Sequence, residues 1–218
     1  MTQPLIPRLY LLTNDDAFEL LYAKLDIALA TGAIALLQVR RKKLLAEPQG
    51  QAKLYDEAVQ IVALAKKYQV KVVINDDIEL ATKLGVGVHL GQGDGDISAA
   101  KKILAPNQII GRTCHGDANL VKQAKDDGAN YAAMGAVFAS NTKPNAATIT
   151  RQQLIDGCQQ DIDICIIGGL TAGNVTNLAG LPLIYIAVVG DIMDLPVDKI
   201  AARCQQWQQA LQSWHTPA

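Results

Sequence analysis

Short runs of β-branched and aliphatic residues alternate with longer amphipathic stretches about eight times from one end of the chain to the other. Strands separated by crossover helices pair in parallel, and a parallel sheet needs its faces covered by those helices. The strand-like runs are Arg8 to Thr13, Ile34 to Arg40, Val70 to Asn75, Val86 to Leu90, Gln108 to Gly111, Tyr131 to Gly135, Asp163 to Ile167 and Leu183 to Val188. Helix-like stretches between them include Gln51 to Tyr68, His115 to Asp127 and Thr171 to Leu178. Near the end, Val197, Ile200, Cys204, Trp207, Leu211 and Trp214 recur at steps of three and four, the stripe of a helix packed on one side. Eight β-α pairs is the number that closes a sheet, so the expected fold is α/β, a single (β/α)8 TIM barrel over residues 1–218. An open doubly wound sheet fits less well, because the first strand runs into Thr13-Asn14-Asp15-Asp16 and not into a glycine-rich dinucleotide turn.

The charge balance narrows the possible partners. With 20 basic and 21 acidic residues the formal charge is -1, so no global cationic field draws nucleic acid or an anionic membrane. Any anion specificity has to be local. No window reads as a signal peptide or a membrane span, which makes a cytoplasmic protein the expectation. The 4 cysteines, Cys114, Cys158, Cys165 and Cys204, form no C-x-x-C pair and read as reduced thiols.

In a barrel the chemistry gathers at the C-terminal ends of the strands, so polar residues there need explaining. The second strand ends Gln38-Val39-Arg40-Arg41-Lys42-Lys43. A solvated charge run accounts for this composition, but strand alternation puts Gln38, Arg40 and Lys42 on one face, where a cationic fork recognises phosphate. Asp76 and Asp94 follow the third and fourth strands and offer oxygen ligands suited to Mg²⁺, although each could equally cap the next helix. Cys114 beside His115 is no nucleophile and base, since neighbours in an extended segment point apart. His115 reads as a cap and His89 as a satisfied residue near the mouth. The sixth strand leads to Ser140-Asn141-Thr142-Lys143, and glycines follow the seventh and eighth strands at Gly168-Gly169 and Gly190, where backbone amides can approach a phosphate.

From about Arg8 to Met193 these motifs resemble the thiamine-phosphate synthase family. The resemblance implies a (β/α)8 barrel that joins hydroxymethylpyrimidine diphosphate to a thiazole phosphate and releases pyrophosphate with Mg²⁺. The family's Q-x-R-x-K stands here as Gln38-Val39-Arg40-Arg41-Lys42, implied to bind the pyrimidine diphosphate. Its N-D and H-L-G-Q-x-D motifs stand as Asn75-Asp76 and His89 to Asp94, which makes Asn75 a substrate contact and Asp76 and Asp94 the metal ligands. Thr113 occupies the serine position of a further substrate-binding motif. Ser140, Asn141 and Thr142 are implied for the thiazole phosphate and Lys143 for the diphosphate, with Gly169, Val189 and Gly190 supplying backbone contacts to the thiazole phosphate. Arg40, Lys42 and Lys143 are thereby the expected catalytic cations. The partners expected are these two small molecules, with no nucleic acid and no membrane; the oligomeric state is not legible.

Two departures stand out. Arg41 occupies a position where the family usually has an acid, and Asp77 one where it often has Arg. Adjacent strand ends suggest an ion pair of reversed polarity, for which the chain has to bend between Asn75 and Asp77. The alternatives to the synthase are a thiazole tautomerase, which needs a general acid/base instead of Mg²⁺, and a non-catalytic barrel that binds thiamine intermediates.

Overall fold

The computed structural model of the chain describes residues 6–139 and 147–215. Its strands are β1 (Arg8–Leu12), β2 (Ile34–Val39), β3 (Lys71–Asn75), β4 (Gly87–Leu90), β5 (Ile110–His115), β6 (Tyr131–Met134), β7 (Asp163–Ile167) and β8 (Tyr185–Val188). Among the described residues they close in sequence order into one parallel barrel, β8 pairing back onto β1. The helices are α1 (Phe18–Ala30), α2 (Lys42–Leu45), α3 (Gly50–Lys67), α4 (Ile78–Leu84), α5 (Ile97–Ile103), α6 (Ala118–Asp127), α7 (Arg151–Cys158), α8 (Gly190–Met193) and α9 (Ile200–Gln212).

Two apolar layers follow from strand alternation. Outward-facing residues such as Leu11, Leu37, Val39, Ile74 and Val88 meet the helices in the larger cluster, while Tyr10, Leu36, Val73, Tyr131, Cys165 and Tyr185 fill the interior. The C-terminal stripe lies in the outer layer, with Ile200, Cys204, Trp207, Leu211 and Trp214 all buried. Val197 sits ahead of α9 in a 3-10 turn, Val197–Lys199. Trp207 does more than pack: its indole N–H donates to Asp191 Oδ2 at 2.8 Å, and the same carboxylate oxygen accepts from the Ala172 amide at 3.2 Å. Helix α9 thereby ties the segments after β7 and β8 together.

Most expected strand ends fall within two residues of the observed ones, and three expectations differ by more. Strand β5 continues past Gly111 to His115, because a register shift between Thr113 and His115 keeps it paired with β6. Residues Thr171 to Leu178 hold only a 3-10 turn, Val175–Leu178. Before it, Thr171 and Asn174 satisfy each other's amides through their side chains, at 2.8 and 3.2 Å, and close a turn where a helix was expected. Helix α6 begins at Ala118, capped by the Asp117 carboxylate on Asn119 N at 2.8 Å, so His115 is not the cap.

Candidate active site

The ends of β3 and β4 decide between helix caps and ligands. Helix α4 is capped by Asp77, whose Oδ1 accepts from Leu80 N at 2.8 Å, and α5 by Asp96, whose Oδ1 accepts from Ser98 N at 2.9 Å. Neither cap is Asp76 or Asp94. Asp76 adopts φ 63, in the left-handed region that Asp tolerates better than most residues. That turn is fixed by its amide donating to His89 O at 2.8 Å. Its Oδ2 accepts from Asn75 Nδ2 at 2.6 Å and lies 3.4 Å from Lys42 Nζ. Burial and the neighbouring Asp76 charge together hold the Asp94 carboxyl above the usual range, a consequence of two acids meeting at one point. Gly91 lies so close to this pair that a Cβ there would strike Asp94 Oδ2. Among the described residues no group of three or more His, Cys, Asp or Glu could hold a metal ion. Two carboxylates are nonetheless what Mg²⁺ takes when phosphate oxygens and water complete its shell, so the residues present fit a site finished by substrate.

The end of β2 delivers Gln38 and Arg40 as the alternation requires. Gln38 points into the barrel and its Nε2 donates to Tyr10 OH at 2.8 Å. Thr13, fully buried, clamps the next turn: its hydroxyl donates to Arg40 O at 2.9 Å and accepts from Arg40 N at 2.8 Å. Lys42 opens α2 with its ammonium on Asp76. Val39 and Arg41 do not reach the mouth. The Val39 side chain packs in the outer core, and Arg41, 5% exposed, points outward as its parity dictates. The guanidinium is held by Glu57 of α3 at 2.8 Å and by the carbonyls of Asn14 at 2.7 Å and Asp16 at 2.8 Å. The reversed ion pair is therefore corrected: Arg41 pairs with Glu57, while Asp77 caps α4 and accepts from Gln51 Nε2 at 2.7 Å.

His89 is satisfied on both sides, with Nδ1 2.8 Å from Tyr131 OH and Nε2 2.9 Å from Thr113 Oγ1. Burial lowers its pKa to about 4, so the ring is neutral at neutral pH. Burial likewise pushes the Tyr10 and Tyr131 phenols well up, and their hydroxyl protons stay on. Cys114 is inert, its thiol pushed up to about 12 by burial.

After β7, Gly169 adopts φ 62 and lies against the backbone of Phe138 and Ala139, where a Cβ would collide with both carbonyl groups. Val189 and Gly190 lead from β8 into α8, and the Ile167 and Ala187 pairing sets these two ends side by side. Ser140, Asn141, Thr142 and Lys143 lie outside the described residues.

Several supporting residues were missed at the sequence level: Thr13, Tyr10, Tyr131 and Arg112. Arg112 Nη1 donates to Gly95 O at 2.8 Å and Nη2 to Gln92 O at 3.2 Å, so one guanidinium grips the loop on both sides of Asp94. Only its position within β5, paired with Leu90 at the end of β4, could have signalled this.

Comparison with known proteins agrees with the geometry. The family model described as thiamine monophosphate synthase matches residues 9–192. A thiamine-phosphate synthase of Methylobacillus flagellatus is 33% identical over 207 residues, covering 94% of this chain and 96% of the relative. One from Chromobacterium violaceum is 36% identical over 203 residues, covering 92% and 95%. In shape the chain is similar to a solved thiamine phosphate pyrophosphorylase from Pyrococcus furiosus, with a TM-score of 0.79, 24% identity and coverage of 95% and 96%. The chain belongs to the thiamine monophosphate synthase family.

Proposed function

We propose that the chain is a thiamine-phosphate synthase, a transferase that joins hydroxymethylpyrimidine diphosphate to thiazole phosphate and releases pyrophosphate. The observation that carries this reading is the meeting of Asp76 and Asp94, neither used as a cap, beside Lys42 at the barrel mouth. Asp76 and Asp94 would hold Mg²⁺, which would supply positive charge to the leaving diphosphate. Lys42 and Arg40 add fixed cations on the same side, and Lys143 does so by family resemblance. Gln38, Asn75 and Thr113 orient the pyrimidine, and the glycine segments at Gly169 and Gly190 with Val189 receive the thiazole phosphate.

The bond between the pyrimidine methylene and the diphosphate oxygen breaks, and its electron pair leaves with pyrophosphate. An electron-rich aminopyrimidine stabilises the cation that remains, and the thiazole nitrogen lone pair then closes the new C–N bond. The displacement asks for no protein base or nucleophile. The locked neutral His89 and the buried Cys114 are in keeping with that. The protein's tasks are to position the two substrates and exclude water from the cation.

Incubation of the protein with both substrates and Mg²⁺ tests the reading. Pyrophosphate released only when the thiazole phosphate is also consumed supports it. Isomerisation of the thiazole alone, or binding without turnover, overturns it in favour of a tautomerase or a non-catalytic barrel.

A further inference from the structure

Five side chains from five strands form one unbroken hydrogen-bonded line across the barrel interior. Gln38 Nε2 lies 2.8 Å from Tyr10 OH, Tyr10 OH 2.9 Å from Tyr131 OH, Tyr131 OH 2.8 Å from His89 Nδ1, and His89 Nε2 2.9 Å from Thr113 Oγ1. Gln38 and Thr113 come from the C-terminal halves of β2 and β5; Thr113 is part-exposed, and Gln38 is buried like the three members between them. Counting protons gives the line a direction. An amide nitrogen only donates, so Tyr10 accepts from Gln38. The Tyr10 proton then has one acceptor on the line, Tyr131. Having accepted from Tyr10, Tyr131 spends its own proton on His89 Nδ1. That nitrogen must be bare, which places the ring proton on Nε2 and directs it to Thr113 Oγ1. The Thr113 hydroxyl proton is left over for a partner at the mouth.

With the Gln38 amide nitrogen turned to Tyr10, as it stands in the structure, the opposite order fails the count. If His89 Nδ1 carried the proton, Tyr131 would turn its own toward Tyr10, and the Tyr10 proton would be stranded inside the barrel. An imidazolium strands it in the same way.

We propose that Tyr131, remote from the reacting atoms, is the positioning residue of the site: its hydroxyl relays this one-way order, holding His89 as the Nε2–H tautomer, Thr113 as an outward donor and the Gln38 amide in a single orientation for the pyrimidine. The role in substrate orientation rests on the synthase reading, whereas the tautomer does not. The ring is built in for the purpose. Gly111 leaves the space it fills, since a Cβ there would strike the Tyr131 ring, and the ring stacks on His89 at a centroid distance of 5.6 Å and 21°. Tyr10 meets its edge at 5.9 Å and 87°. Tyr131→Phe keeps all of this packing and removes only the relay.

The chain has 3 histidines, so nitrogen-resolved NMR reads the tautomer directly, with the His89 signals assigned by their loss in His89→Gln. At pH 7.5 the intact protein should show a bare Nδ1 and a protonated Nε2. In Tyr131→Phe the two tautomers should mix, and KM for the pyrimidine diphosphate should rise about tenfold with kcat changed less than about twofold, the loss of one oriented hydrogen bond. A protonated Nδ1 in the intact protein overturns the proposal, and that spectrum decides even where the variant folds poorly. An unchanged tautomer and KM in a folded Tyr131→Phe overturns it as well. The expected tautomer shift in a protein that does not bind the pyrimidine diphosphate would support the relay and overturn the substrate assignment instead.

Discussion

Replacing Asp76 by Asn separates charge from shape at the heart of the site. Asn accepts the left-handed backbone, φ 63, as readily as Asp does, so the turn survives. The amide of residue 76 still donates to His89 O. The substitution weakens the contact with Lys42, 3.4 Å away and 54% exposed, a pair worth about 0 to 1 kcal/mol. Against that, it removes the charge that helps hold the Asp94 carboxyl above its ordinary range. These two effects oppose each other, and folding stability should move by less than about 1 kcal/mol. A cation shared between the carboxylates is affected far more. Unit charges about 4 Å apart at an effective dielectric near 20 interact with about 4 kcal/mol, which corresponds to roughly a thousandfold in turnover at limiting Mg²⁺. Pyrophosphate release and urea unfolding, measured on the same preparation, supply both numbers. Turnover within about threefold of the intact protein at limiting Mg²⁺, or a loss of activity matched by a loss of stability, would refute the reasoning.

Three further outcomes follow from neighbouring groups. Arg112→Met should weaken activation by Mg²⁺ about 10- to 100-fold with little change in melting temperature, because the arginine grips the loop around Asp94 without touching the metal; unchanged activation would free Arg112 of that role. Glu57→Ala should cost about 3 kcal/mol in a urea titration, since Arg41 is left buried with only carbonyl partners, and a loss below about 1 kcal/mol would mark the pair as no stronger than an exposed one. His89 has a folded-state pKa of about 4 against 6.5 for an ordinary histidine, so between those values the unfolded chain binds more protons and stability falls as the pH falls. The loss amounts to about 1.4 kcal/mol per pH unit. Urea midpoints at pH 7.5 and 5 should differ in the intact protein and differ less in His89→Gln; equal differences would show that the ring is not buried neutral.

Strand runs were legible because most are short aliphatic stretches set between longer amphipathic ones, and β7 spans the very residues its composition marks, Asp163–Ile167. The face of Gln38 followed from parity alone. Elsewhere the sequence offers two acids for one job. Asn75-Asp76-Asp77 and Asp94-Gly95-Asp96 each contain a cap and a second carboxylate, and only the backbone turn at Asp76 and the start of each helix assign them. Arg41 found its partner on α3 and not at the adjacent strand end that strand order suggested. Tyr10 and Tyr131 read as apolar positions of central strands. Their hydroxyls acquire meaning when barrel closure brings β1, β4 and β6 to within hydrogen-bonding reach across the interior.

The most direct test of the account is where a divalent cation sits when the diphosphate substrate is present. Crystals grown with the pyrimidine diphosphate and Mn²⁺ in place of Mg²⁺ should place the anomalous signal between Asp76 and Asp94, about 2.0 to 2.3 Å from a carboxylate oxygen of each, with diphosphate oxygens completing the shell on the side of Lys42. A cation bound elsewhere, with both carboxylates left out of its coordination, would contradict the account.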